Sequence, residues 1–441
     1  MRAGPDLRAA LRSPLVLVIL VLVAICWPSN KASTEISLAR PTPADVAAVA
    51  LIGYLLRRLL RPHGPGQLRT GWLAPAAAVT ATAGASVFVA AAPGLALAGY
   101  VRFLEIFVLV PVAVAVTVRR LAGAVVLVTA ILAVGALQAV VGMTQFLTGT
   151  GAGFGTADVR AVGTFGAGDP LAMGDVTAIA AMILVAALVS YRGPVRLAAA
   201  AGLPPAVVAL AMSLTRGAML AFAVSLVVVA AASGWQHLLG LTLVAAVVAG
   251  LTLGLTGVGS TVGDRLATIA AAGSAPDQSV QDRYDLWGLA LHVWRDHPVR
   301  GVGIKNFAGY RDTYAPLGLS SGGDVASERQ YVRVQLLSPH NEYLLILSEQ
   351  GLPGLVGYLS LLVAVLAAPT RLRRRPEPTA RFAGLAMLGA AVQLCMVTIY
   401  GELGGPSALL DSVCIGLCLA APRLARDRDR PALPMLQKGR T

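Results

Sequence analysis

Long apolar runs separated by short polar segments account for most of this chain. A helix that crosses a bilayer needs about 20 predominantly apolar residues, and on that criterion the sequence predicts about twelve transmembrane spans. They lie near residues 13–29, 43–60, 72–92, 97–117, 121–143, 170–190, 196–213, 217–232, 236–256, 341–367, 380–400 and 406–422. We therefore expect an all-α polytopic membrane protein.

Arginines cluster at alternate connections between these runs, except at the connection after the eighth span, which has none. They precede the first span and follow the second, fourth, sixth, tenth and twelfth. Since Lys and Arg are enriched in cytoplasmic loops, both termini are predicted to be cytoplasmic in a multi-pass protein of the inner membrane. The predicted organisation is one membrane domain, with spans one to nine in 1–256, an extracytoplasmic loop at 257–340, and the last three spans and a tail in 341–441.

The composition agrees with a membrane protein and narrows the list of partners. Hydrophobic residues make up 56% of the 441 positions and charged residues 13%, whereas charged residues make up about a quarter of a typical globular protein. The net charge of +13 comes from arginines in short loops and forms no continuous basic face, so membrane lipids are expected partners and nucleic acid is not. All four cysteines lie in apolar spans, which argues against a disulfide framework or a metal site.

The outer loop and the start of the tenth span hold an unusual concentration of polar and aromatic residues. Residues 282–297 show apolar positions at helical spacing and predict an amphipathic helix lying at the membrane interface. Arg283 is expected to point from this helix toward the headgroups, where a lipid-linked phosphate would lie. The alternative is an arginine that merely snorkels to lipid phosphate.

Two further segments place chemistry at the outer ends of spans. Arg216 lies between the seventh and eighth spans, against the positive-inside bias, which indicates a local anionic partner. Of the five histidines, only His340 stands at the outer mouth of a span. Charged groups at a bilayer entrance are costly and usually functional, so Arg216, Arg283 and His340 are the leading site candidates. Arg102 and Glu105, three residues apart, are predicted to form a buried structural pair.

Four motifs together resemble the O-antigen ligase and O-antigen polymerase family of bacterial glycan transferases. They are VGTFGAGDPLAMG (Val162 to Gly174), LTRGAML (Leu214 to Leu220), the R-x-x-x-W, P-x-x-G-x-G and F positions between Arg283 and Phe307, and HNEYLLILSEQGLPG (His340 to Gly354). The resemblance covers roughly residues 162–358 by motif and the whole chain by topology. It implies transfer of a glycan from an undecaprenyl-pyrophosphate donor to a glycan or lipid acceptor on the outer face of the membrane.

The resemblance also assigns roles to residues. Arg216 and Arg283 would stabilise the leaving pyrophosphate, since arginine offers a permanent charge and a fixed fork of donors. His340 would act as the catalytic base that accepts the proton of the acceptor hydroxyl.

Thr215, Asn341 and Asp169 are the further substrate-binding candidates that the resemblance implies. Two of them depart from the family pattern, because Thr215 stands where Ser is common and Asp169 where Asn is common. The family further implies a GT-C-like helical fold and an inverting reaction that needs no metal or cofactor.

Two other classes of function compete with this interpretation. A transporter would also have about twelve spans and polar intramembrane residues, although such residues would be expected near the bilayer midplane. The second competing function is that of a non-catalytic scaffold in an envelope-polysaccharide complex. Within the family, the sequence leaves ligase, polymerase and protein O-glycosyltransferase open.

Overall fold

The computed structural model describes residues 13–28, 41–61, 71–154, 159–167, 169–234, 278–316, 319, 322–327, 330–405 and 407–426. Their helices are α1 (Leu15–Ile25), α2 (Pro43–Leu59), α3 (Leu73–Val87), α4 (Pro93–Leu104), α5 (Val110–Thr117), α6 (Leu121–Thr148), α7 (Pro170–Ser190), α8 (Pro194–Met212), α9 (Arg216–Ser233), α10 (Gln278–Asp296), α11 (Phe307–Tyr314), α12 (Glu342–Ala367), α13 (Thr370–Arg373), α14 (Pro378–Val397) and α15 (Ala408–Arg426). The strands are β1 (Ala152–Phe154), β2 (Gly322–Ser327) and β3 (Gln330–Gln335).

The predicted spans coincide with helices wherever the structure describes them. The span predicted at 236–256 lies outside the described residues, and each of the others falls on a helix. Eight helical segments in the described ranges are long and apolar enough to cross a membrane, while α1 and α3 are shorter apolar helices. The protein is therefore a multi-pass membrane protein with a helical bundle, as predicted.

A π-helical turn, Glu105–Leu109, joins α4 to α5 within one continuous segment. Pro111 lies at the start of α5 and has no backbone N–H to donate to the preceding turn. A wider turn is the usual local response to such a missing hydrogen bond. The segment Pro93–Thr117 nevertheless runs on as a single span of 25 residues.

Arginines gather at one end of the bundle, which we call the basic end, and there they close the C-termini of helices. Arg58 donates to the carbonyl of Val116 at 3.0 Å, and Arg423 to that of Val118 at 2.5 Å, both at the end of α5. Arg373 and Arg381 do the same for the last residues of α9, each at 2.8 Å. The last carbonyls of a helix lack partners within it and carry partial negative charge, so arginine satisfies both their hydrogen bonding and their charge.

The centre of the bundle is formed by α7, α14 and α15, which are buried along nearly their whole length. Small residues let these helices approach closely. A side chain added at Gly135 of α6 would lie 2.3 Å from the Cβ of Ala180, and one at Gly416 would lie 2.6 Å from the carbonyl of Pro111. Such close approach is the usual basis of helix association in membranes. Cys414 and Cys418 are buried in this packing, and all four cysteines are free.

The amphipathic helix was predicted correctly, but the expectation that lipid covers its apolar face was wrong. Its apolar face, which includes Leu286, Leu289 and Val293, is buried against Phe307 and Leu345 of the protein itself. The helix is α10, and it packs on α12 and α11. A protein surface, not the headgroup layer, therefore covers the hydrophobic stripe.

A small antiparallel sheet was not predicted from the sequence. Strand β2 pairs with β3 from Gly322↔Gln335 to Ser327↔Gln330, and with β1 from Ala152↔Ser327 to Phe154↔Val325. Strand β1 belongs to the connection between α6 and α7, whereas β2 and β3 belong to the predicted outer loop. The described membrane spans are helical, and the sheet lies in the connections between helices.

The P-x-x-G-x-G motif docks onto a break in α12. Gly351 interrupts this helix with φ 69° and ψ −172°. The break lets carbonyls of α12 pair with the motif instead of within the helix. The N–H groups of Val302 and Gly303 donate to the carbonyls of Ser348 and Glu349 at 3.0 and 2.8 Å. Gly301 has φ 64°, and a Cβ there would lie 2.3 Å from the backbone of Glu349. The glycines of this motif therefore permit close contact between two backbones.

Candidate functional site

The connection between α14 and α15, residues 398–405, organises the end of the bundle opposite the basic end, which we call the site end. Glu342, at the start of α12, donates its backbone N–H to the carbonyls of Thr398 and Gly401 at 2.9 and 3.2 Å. Its carboxylate accepts the N–H of Leu403 at 3.1 Å. These bonds fix the path of the connection across the mouth of α12.

Arg102 holds the far end of the same connection. Its guanidinium donates to the carbonyls of Gly404 and Gly405, the second at 2.9 Å. It also forms ion pairs with Asp45 at 2.9 Å and Glu105 at 2.7 Å, and all three side chains are largely buried. The pairing of Arg102 with Glu105 is confirmed, and the structure adds Asp45 as a second carboxylate.

Tyr400 brings two of the predicted arginine segments together. Its carbonyl accepts a hydrogen bond from Arg283 of α10 at 2.6 Å. Its side chain packs on the first turn of α9, where a Cβ added to Gly217 would lie 2.6 Å from the Cβ of Tyr400. Arg216, the first residue of α9, is thus placed beside the segment that Arg283 contacts. Arg283 donates to the protein backbone at Tyr400, so simple snorkelling to lipid phosphate does not describe this side chain.

Trp287 anchors α10 one turn further along. Its indole N–H donates to the carbonyl of Pro339 at 2.9 Å. Residues four apart share one face of a helix, so Arg283 and Trp287 both face the site end. Because Pro339 precedes His340, the position of α10 is tied directly to that of the histidine.

His340 adopts a backbone conformation that is rare for a residue with a side chain. Its φ is 46°, and its N–H donates to the hydroxyl of Ser338 at 3.2 Å. The Ser338 hydroxyl in turn donates to the carboxylate of Glu402 in a short hydrogen bond. Burial lowers the pKa of His340, the charge of Glu402 opposes that change, and the charge of Arg283 adds to it. The imidazole is therefore favoured in its neutral form, which is the form that can accept a proton.

Glu402 also faces a cation. Its second carboxylate oxygen lies 3.9 Å from the ammonium of Lys305, and its side chain is only 4% exposed. Both side chains line a small cavity, together with Arg102, Glu342 and Glu349. The negative charge of Glu402 is thus held between Lys305 on one side and the Ser338–His340 segment on the other.

Backbone strain is concentrated at the site end. The described residues contain three non-glycine positions with positive φ, namely Leu214 at 51°, Lys305 at 59° and His340 at 46°. Each lies next to or within the segments just described. Such conformations persist only where surrounding contacts enforce them, and they are enriched at functional sites.

Three other predicted substrate-binding residues make contacts that position the backbone. Asn341 caps α12, because its side-chain oxygen accepts the N–H of Leu344 at 3.1 Å. Asp169 precedes α7 and accepts the Ser407 hydroxyl at 2.6 Å, and burial raises its pKa. The hydroxyl of Thr215 donates to the carbonyl of Ser213 at 3.2 Å. These contacts place all three residues at the site end and give each a structural task.

The VGTF segment is held by two glutamines of α6. Gln138 donates to the Thr164 hydroxyl and accepts the Thr164 N–H, both at 2.8 Å. Gln145 accepts the N–H of Gly163 and donates to its carbonyl, also at 2.8 Å each. This motif therefore fixes the entry to α7 and the position of Asp169.

Sequence reasoning missed Ser338, Tyr400, Glu402 and Lys305. One signal for Glu402 was present, because it is an acidic residue in a Gly-rich segment between two apolar runs. In the described part of the chain, His, Cys, Asp and Glu side chains form no group of three or more suited to hold a metal ion.

The comparison with protein families finds a match over part of the chain. Residues 201–359 match the family model described as O-Antigen ligase. The matched segment contains Arg216, Arg283 and His340 and ends before the 398–405 connection. No curated protein matches the chain.

Proposed function

We propose that this multi-pass membrane protein, with its O-antigen ligase domain at residues 201–359, transfers a glycan from an undecaprenyl-pyrophosphate donor to an acceptor hydroxyl. The family implies lipid-linked glycan transfer, and the geometry of the site end supports the finer assignment. The main observation in support of this assignment is that three groups meet at the 398–405 connection, which holds Tyr400 and Glu402. They are Arg283, the first turn of α9 with Arg216, and His340.

The arrangement suits the chemistry of the transfer. The acceptor oxygen attacks the anomeric carbon, the bond from that carbon to the pyrophosphate oxygen breaks, and the hydroxyl proton passes to the His340 imidazole. Attack opposite the leaving group inverts the anomeric centre. Arg216 and Arg283 stabilise the negative charge that grows on the departing lipid pyrophosphate.

The direction of the pKa shift at His340 supports this role. A base must be neutral before it accepts a proton, and a catalytic pKa near the operating pH is the most effective. Burial and the Arg283 charge lower the pKa of His340, so protonation in the resting enzyme is disfavoured. The Glu402 charge limits that effect and stabilises the imidazolium once the proton has moved.

The orientation follows from the two ends of the bundle. We assign the basic end to the cytoplasm, since arginines are enriched there in membrane proteins, and the site end to the outer face. Both termini are then expected in the cytoplasm, and α10, α11, β2 and β3 are expected outside. In this orientation the donor lipid reaches the site end from the outer leaflet.

The test is transfer by purified protein in liposomes that contain an undecaprenyl-pyrophosphate-linked glycan. His340→Ala is expected to lose most turnover while retaining donor binding, because a general base contributes about 10²–10⁴-fold in rate. His292→Ala is the matched control, since His292 is exposed on the same outer segment. Full turnover by a folded His340→Ala protein contradicts the catalytic role.

The same preparation separates the competing functions. Lipid A core, repeat-unit glycan and a serine-containing peptide are offered as acceptors, which distinguishes ligase, polymerase and protein glycosyltransferase. Movement of the glycan lipid across the liposome without any transfer indicates a transporter. Absence of both activities, with intact folding and with the natural donor, supports a scaffold.

A further inference from the structure

Glu402 lies outside the segment that matches the O-antigen ligase family, yet it is connected to His340 by two hydrogen bonds. The Ser338 hydroxyl donates to Glu402, and the His340 N–H donates to Ser338 at 3.2 Å. Both carboxylate oxygens are engaged, because the second faces Lys305 at 3.9 Å. The Glu402 carboxylate is thus held by Ser338 on one side and by Lys305 on the other.

The backbone of His340 requires this kind of support. A histidine at φ 46° lies in the left-handed region, which is unfavourable for residues with a Cβ. Its N–H bond to Ser338 and the helix that begins immediately after it, capped by Asn341, hold that conformation. If Ser338 moved, the direction of the imidazole would change, and a shift of about 1 Å in a catalytic group can reduce a rate by about 100-fold.

The charge at position 402 acts on the same imidazole. Two charged groups face His340, namely Arg283 from α10 and Glu402 from the 398–405 connection. On its own segment the nearest residues are the uncharged Ser338, Pro339 and Asn341, and the carboxylate of Glu342 accepts the Leu403 N–H. Glu402 is therefore the group whose charge favours the protonated imidazole of His340 over the neutral imidazole.

We propose that Glu402 is a positioning residue for the transfer reaction: through Ser338 it fixes the direction of the His340 imidazole, and through its charge it stabilises the imidazolium that forms when the acceptor is deprotonated. The proposal rests on the function proposed above. It assigns to the 398–405 connection a part in the chemistry beyond its structural contacts.

Two substitutions separate the two effects. Glu402→Gln keeps an oxygen that accepts the Ser338 hydroxyl but removes the charge. Ser338→Ala keeps the charge but breaks the link to the His340 backbone. Glu402→Asp retains the charge on a shorter side chain, and Asp312→Asn is the control, because Asp312 lies on the same outer segment with its side chain 87% exposed.

The measurement is the pH profile of kcat and of kcat/KM for transfer from a fixed lipid-pyrophosphate donor. Loss of the Glu402 charge lowers the pKa of His340, so in Glu402→Gln the acid limb of the profile moves to lower pH. Glu402→Asp leaves the limb in place. Ser338→Ala leaves the limb in place and lowers kcat by about 10-fold or more, with little change in KM.

The result that overturns the proposal is a folded Glu402→Gln protein with an unchanged acid limb together with a folded Ser338→Ala protein of full kcat. If Glu402→Gln fails to fold, the Ser338→Ala and Glu402→Asp variants decide between positioning and simple packing. Failure of this proposal is distinct from failure of the proposed function: an inactive His340→Ala beside these two normal variants refutes only the role of Glu402. An active His340→Ala refutes both.

Discussion

Arg283 joins the two parts of the proposed site, so its replacement is the most informative single change. In Arg283→Ala the hydrogen bond to the Tyr400 carbonyl, 2.6 Å long, is lost together with the positive charge beside His340. The proposed contact with the leaving pyrophosphate disappears as well. Donor binding and transition-state stabilisation are therefore expected to fall together.

The magnitude follows from the type of contact that is lost. A hydrogen bond to a charged group contributes about 1.5–3 kcal/mol. Since about 1.36 kcal/mol corresponds to a tenfold change in rate, kcat/KM is expected to fall by about 10- to 150-fold. Arg283→Lys is expected to recover part of this loss, because lysine keeps the charge but not the two-pronged geometry.

The pH profile supplies a second and independent readout. The Arg283 charge lowers the pKa of His340, so its removal raises that pKa. Activity that depends on a neutral imidazole is then lost at a higher pH, and the acid limb moves upward, opposite to the change expected for Glu402→Gln. A helix that only packs against the bundle would not produce this shift.

The control is Arg295→Ala, which removes an exposed arginine from the same helix. Turnover and the pH profile of that variant are expected to match those of the unaltered protein. Our reasoning about Arg283 is refuted if Arg283→Ala and Arg295→Ala behave alike in kcat/KM and in the position of the acid limb.

Three further outcomes test the fold and its orientation. A reporter fused after Arg375 is expected to be cytoplasmic and one inserted near Gly322 to be extracytoplasmic, by accessibility labelling in intact cells. Gly301→Ala is expected to lower thermal stability and activity, because its φ is 64° and the new Cβ meets the backbone of α12, whereas Gly309→Ala has open space around it and is neutral. Gln393→Leu leaves a buried carboxylate of α7 without its 3.0 Å donor and is expected to cost about 1–3 kcal/mol of stability in a denaturation assay.

The helical bundle was readily predicted from sequence because its two determinants are local. Apolar runs of sufficient length must form helices in a bilayer, since every backbone group there needs an internal partner. Arginines mark one end of the helices, and the structure shows them donating to the final carbonyls of α5 and α9. Both signals depend on residue type and spacing alone.

The position of α10 was not predictable on the same basis. Hydrophobic periodicity correctly indicated an amphipathic helix, but periodicity does not say whether lipid or protein covers the apolar face. The answer depends on Phe307 and Leu345, which belong to other elements. The hydrogen bond from Arg283 to the Tyr400 carbonyl likewise depends on a residue far away in the sequence.

The 398–405 connection was missed for a related reason. Each of its contacts joins positions far apart in the chain, such as Arg102 with Gly405 and Arg283 with Tyr400. Its own sequence carries only one charged residue, Glu402, among glycines and apolar side chains. No spacing rule connects that residue to Ser338 across 64 positions.

The family motifs and the proposed chemistry therefore divide between two kinds of residue. The glycines of P-x-x-G-x-G and the break at Gly351 let the backbones of the outer segment and α12 meet, which fixes one side of the site. His340 and the arginines lie next to this contact, and the connection that carries Glu402 forms the opposite side. Because the connection is held by Arg102, Glu342 and Arg283 together, the strained backbone of His340 is maintained before substrate arrives. Such preorganisation removes a cost that would otherwise be met during the reaction.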